Sequence, residues 1–154
     1  MKNTDHTLIE QLKISKREIE RRKEYFGLTQ TESQTLISLK ELISDHIEEI
    51  VEEFYTKITP FDEMDRVIGD AETLRRLKNY QRTYILSLFD GQYDEDYVHS
   101  RLRVGVVHKR IGVEPKFYVS AVYNLSSILR NIMISQNKNN WTSCKSSLAA
   151  QLRK

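Results

Sequence analysis

Cysteine is almost missing: Cys144 is the only one in 154 residues, so there can be neither a disulfide framework nor an internal Cys-x-x-Cys-His attachment for covalent haem. Such usage fits a reducing, cytoplasmic setting. Proline and glycine are also scarce, at two and five residues. Apart from Gly105, each falls where the hydrophobic periodicity changes, the pattern of long helices with short connections. No apolar run approaches the ~20 residues of a bilayer span, and the opening MKNTDHTLIEQLK has no signal-peptide core. Neither sign of charge dominates, since 24 basic and 22 acidic residues spread along the chain leave a formal +2, so nothing predicts a nucleic-acid surface. A Gly-rich phosphate loop, His-Glu-x-x-His and Gly-x-Ser-x-Gly are all lacking, so no enzymatic activity is expected of this stretch itself.

What is present reads as one all-α domain, long enough to bury roughly 68–70% of its unfolded surface. Residues 1–14 are expected to be a flexible lead-in, followed by a charged surface helix over 15–26 with an apolar edge at Ile19 and Phe26. A sustained stripe from Leu36 to Ile58 predicts a helical unit with a cap or corner at Ser44-Asp45-His46, ended by Pro60. After a compact connection over 59–69, Asp70 caps a helix to about residue 90, with Leu74, Leu77, Tyr84, Ile85 and Leu88 on its inner side. Asp94 or Asp96 starts the next helix, and Pro115 starts one through about residue 135. The polar QNKNN is expected to break it, with a last helix starting at Thr142-Ser143 and cut short at Lys154, as at a boundary within a longer protein.

The segment over 101–118, RLRVGVVHKRIGVEPKFY, organises the rest. Val104, His108 and Ile111 recur at helical spacing, which sets His108 in an apolar stripe, and Gly112 stops the helix just beyond it. Gly105 costs a helix about 1 kcal/mol against alanine and leaves room beside His108 for something flat and large. A hydrogen-bonded core histidine is the plainer reading of these residues alone. His6, His46 and His99 form no multi-histidine metal spacing with His108. A metal held by one histidine needs ligands from elsewhere, and a porphyrin provides four. The acidic pairs Glu48-Glu49 and Glu52-Glu53 read as a solvated face.

Taken together, Phe54-Tyr55, then Leu74 and Leu77, then His108 in His-Lys-Arg-Ile-Gly-Val-Glu-Pro-Lys-Phe-Tyr resemble the haem domain of the bacterial globin-coupled sensors, over residues 15–135. The resemblance implies a globin-like fold with an extra N-terminal helix and a short or absent D-helix region. It implies haem b as cofactor, His108 as the proximal iron ligand, Tyr55 as hydrogen-bond donor to the gas and Leu77 as a distal residue over it. Tyr118 matches a tyrosine near the proximal histidine, where it could serve as partner to the imidazole, and Tyr84 forms an aromatic wall. Leu74, Val104, Gly105 and Ile111 complete the expected cofactor contacts.

The function so implied is a gas sensor that binds dioxygen, carbon monoxide or nitric oxide and regulates an output module beyond residue 154. A homodimer is expected through the helices after Pro115 and Thr142, with Leu125 and Leu129 as candidate contacts, and no nucleic acid or membrane as partner. The alternative is a haem-free globin-like interaction domain of a stress-signalling scaffold, against which His108, Gly105 and Gly112 argue. A free-standing oxygen carrier or haem oxygenase-type enzyme is disfavoured by the extra charged helix and the shortened last one.

Overall fold

The computed structural model describes residues 8–151, and side chains within 9–136; throughout these, the regular structure is α-helical. In chain order the helices are α1 (Leu8–Gln11), α2 (Lys16–Tyr25), α3 (Gln30–Asp45), α4 (Ile47–Ile58), α5 (Asp62–Ile68), α6 (Ala71–Ser87), α7 (Glu95–Arg110) and α8 (Pro115–Gln151).

Local chemistry explains these boundaries. Ser15 accepts a hydrogen bond from the Glu18 N–H to open α2. Thr29 and Glu32 form a reciprocal capping box at the start of α3, so two otherwise unpaired donors are satisfied there. His46 alone separates α3 from α4, the expected corner. Asp70 caps α6 through the Thr73 N–H at 2.6 Å, as the sequence predicts. The connection over 59–69 is more ordered than expected, because α5 forms within it. Only Gly69 and Asp70 then separate α5 from α6, which leaves no room for a further helix in the D region.

The core lies where α4 crosses α8 and packs on α6, with α3 closing one side. Ile43, Ile50, Val51, Ile85 and Ile128 are wholly buried there. Each such side chain contributes about 1.5–3 kcal/mol relative to exposure. Outside that core, the Glu52 carboxylate accepts from Lys78 at 2.7 Å and Glu48 takes the Arg82 guanidinium, stitching α4 to α6 along their solvent edge.

Two expectations are corrected. Residues 8–14 are not a loose lead-in: Ile9 and Ile14 are buried with Ile19 in a second small core against Val98 and Leu102 of α7. Their spacing of five matches neither helical nor strand periodicity, because α1 ends at Gln11 and Lys13 turns the chain at φ 53°. Residues 1–7 lie outside the described part. The second correction concerns α8, which runs unbroken through 136–140 to Gln151, so a new helix does not start at Thr142. Asparagine and lysine are poor at packing but cost a solvated helix only tenths of a kcal/mol each, too little to stop one.

Candidate functional site

Helix α7 carries the central histidine, and both of its ends are fixed by sequence. Asp94 accepts the Tyr97 N–H at 3.1 Å to start it, and His108, Lys109 and Arg110 place positive or neutral donors at the negative end of its dipole. At the far end Gly112 takes φ 78°, a left-handed conformation that favours glycine. Its N–H donates to the Lys109 carbonyl at 3.2 Å and the Val113 N–H to the His108 carbonyl at 3.0 Å, the paired bonds of a Schellman turn. The backbone of His108 is therefore pinned by the turn that ends its helix.

The imidazole is fixed as well. His108 Nδ1 lies 2.8 Å from the Val104 carbonyl oxygen. A carbonyl only accepts, so Nδ1 carries a proton, and of the two neutral tautomers this selects the one with its lone pair on Nε2. The Tyr118 ring meets the imidazole edge-on, with centroids 5.3 Å apart. That corrects the expected partnership: the second nitrogen is held by the preceding turn of its own helix, whose carbonyl has a spare lone pair, and Tyr118 is a packing neighbour.

His108, Val104, Tyr84 and Tyr118 border one mostly apolar cavity of about 290 Å³, with Phe54 of α4 and Leu125 of α8 on its inner side. Alone it lies at the lower edge of ligand pockets, roughly 300–1,000 Å³. Leu88, Ser126 and Leu129 also line an adjacent cavity of about 670 Å³ that extends toward α2. Burial raises the Tyr84 hydroxyl above its ordinary acidity range, opposed by the nearby Arg101 charge.

Other expected residues stand apart from the cavity lining. Tyr55 is only 7% exposed and sits in the main core, its ring edge-on to Phe54 at 5.3 Å. Burial pushes its pKa up to about 12, so the phenol stays a donor across the physiological range, and no described residue accepts from it. Leu74 and Leu77 are half-buried against the same core. Gly105 faces open space, where an added Cβ would meet nothing within 4 Å. Ile111 is corrected from the apolar stripe: it is the C-cap of α7, beyond the regular helix, and 44% exposed.

Two residues that the sequence reading passed over also matter. Gln81 lines the cavity. It lies four residues after Leu77 and three before Tyr84, so a polar side chain within an apolar stripe was its signal. Arg101 precedes His108 by seven residues, two turns on the same face, and its guanidinium lies against the Tyr84 ring.

An all-α domain with a single oriented imidazole at an apolar cavity has the makings of a globin-like fold, and comparison with known proteins agrees. The protoglobin family profile matches residues 15–153, nearly the whole chain, and the chain belongs to that family. It is also similar to the heme-based aerotactic transducer HemAT of Halobacterium salinarum, with 26% identity over 117 residues, or 75% of this chain. The matched part is 24% of that relative's length. The resemblance to the globin domain of the globin-coupled sensors thus holds. No helix among the described residues is long and apolar enough to cross a membrane.

Proposed function

We propose that this chain is the gas-sensing haem b domain of a longer cytoplasmic signalling protein, with His108 Nε2 as the protein ligand to iron. The observation that carries the reading is the His108 Nδ1–H held by the Val104 carbonyl, which orients the ring and leaves Nε2 as the nitrogen for a ligand bond beside an apolar cavity. The residues present fit the group: an imidazole oriented at an apolar cavity, with aromatic walls at Tyr84 and Tyr118. When bound, haem supplies four ring nitrogens and an iron open to a diatomic ligand. Tyr55, kept protonated by burial, would be the donor to bound dioxygen, and Leu74 and Leu77 would limit water there. Carbon monoxide and nitric oxide are further ligands in this reading, and the domain itself performs no catalysis.

The purified chain should show a Soret band that His108→Ala abolishes or shifts to another coordination state, and added imidazole should restore the original band. A colourless protein that takes up no haemin would sink the sensor reading and leave the interaction domain.

The signal leaves through α8, as a homodimer contact. Leu125 and Leu129, expected at that contact, are instead buried at 7% and 8% exposure, so changing them would break the core. The outward face presents Val119, Tyr123 and Ile134, at 66%, 71% and 45% exposure and on one line of the helix. Tyr123→Glu should halve the mass of any dimer in sedimentation. A dimer indifferent to it would place the contact elsewhere.

A further inference from the structure

Arg101 is held in an unusual way. Its guanidinium carbon lies 4.1 Å from the centroid of the Tyr97 ring and 4.4 Å from that of Tyr84, so the two phenols account for its cation–π contacts. Its edge is less well provided for. Nη2 donates to the Ser87 hydroxyl at 2.7 Å and Nη1 reaches the neighbouring Ser100 hydroxyl at 3.3 Å, while Nε is buried with no acceptor at all. Among the described residues no carboxylate pairs with this charge. A guanidinium edge is a planar fork suited to a carboxylate, and a buried donor left empty costs free energy that neutral hydroxyls do not recover. The two rings explain how the charge is tolerated, but not why its edge lacks an anion.

The position narrows what that anion is. Arg101 stands two turns, about 10.5 Å, before His108 on the same face of α7. Tyr84, which lies against it, also lines the cavity that His108 borders. Arg101 itself lines neither cavity, but its second ring partner, Tyr97, lines the adjacent one, so an anion at its edge would belong to a molecule lying in that joined space.

We infer that Arg101 is the anchor for a carboxylate side arm of the cofactor, a second binding residue on α7 that fixes the orientation of the macrocycle about the His108 bond. This rests on the haem reading. The carboxylate takes Nε together with a terminal nitrogen, and the serine hydroxyl it displaces keeps the bond it already donates to the Tyr84 or Tyr97 carbonyl.

The test compares protohaem with its dimethyl ester, in which both carboxylates are capped and uncharged. Each is loaded onto the purified chain, and its dissociation rate is read by transfer to an excess of an apo-globin. The unchanged protein should release the diester roughly 10- to 100-fold faster, the worth of one hydrogen bond to a charged group. Arg101→Gln should bring the two rates together, and Arg101→Lys, which keeps charge but not the fork, should fall between. A ratio unaltered in folded Arg101→Gln, or no preference in the unchanged protein, overturns the inference and leaves His108 as ligand untouched. A protein that takes up neither porphyrin overturns both. Should Arg101→Gln lose its helical circular dichroism, the unchanged protein and Arg101→Lys decide between these outcomes.

Discussion

Helices α4 and α7 both carry a residue of the proposed site, yet they are held in opposite ways. In α4, Ile50, Val51, Phe54 and Tyr55 are buried within 12 residues. In α7, 16 residues contribute none, and Val106 and Val107 remain 46% and 42% exposed. The first is fixed by protein against protein. The second rests chiefly on α1, through Val98 and Leu102, and on the Arg101 contact to Ser87 of α6. One wall of the cavity is thus rigid by packing, and the other depends on what lies between the walls.

The largest expected effect is in hydrogen exchange. Without cofactor, α7 amides should exchange through local openings far below the cost of global unfolding, while α4 amides approach that limit, and haemin should slow α7 by a much larger factor than α4. Equal protection in both helices before haemin is added would break the contrast. Next come two truncations read by denaturant unfolding. Phe54→Ala should cost about 3–5 kcal/mol, whereas Val107→Ala should stay within about 0.5 kcal/mol.

Tyr55→Phe is smaller again. It should speed dioxygen release roughly 10- to 100-fold, the kinetic worth of about 1.5–3 kcal/mol, and alter carbon monoxide release much less. The same variant should flatten alkaline unfolding. With the folded-state pKa near 12 and the unfolded phenol near 10, the folded form keeps its proton while the unfolded one loses it. Stability therefore falls over that interval by up to about 1.4 kcal/mol per pH unit. The smallest effect is at the surface. The Arg82 hydrogen bond lowers the Glu48 pKa from its ordinary 4.5, so this pair stabilises above that pH and the benefit fades as pH drops through the lowered value. Arg82→Gln should make acid unfolding slightly less steep below pH 4.5.

The same contrast explains what the sequence revealed. Helices packed on protein announce themselves by periodicity, so α4, α6 and their caps at Asp70 and Asp94 were legible, as was His108 with its Gly112 stop. Ile9 and Ile14 were not, since a turn at Lys13 breaks any regular spacing between them. Tyr118 is a candidate partner for the imidazole only through the family resemblance, which places a tyrosine near the histidine without fixing what it bonds. The Val104 carbonyl is invisible to that reasoning, being present in every residue alike. Arg101 and Gln81 were passed over because polarity within an inward-facing stripe looks like noise until the stripe has somewhere to face.

The Schellman turn after His108 has a mechanical consequence. It clamps the His108 carbonyl to Val113, and Pro115, with φ preset, begins α8 two residues later. Such a short joint has little slack to absorb a movement of the imidazole. Helix α8 is 37 residues long. At 1.5 Å per residue it is a lever of roughly 55 Å, and a tilt of about 5° at its proline end sweeps the other end through roughly 5 Å. A displacement at the ring too small to disturb the core can thus arrive at the far end as a change of position that a partner helix would register.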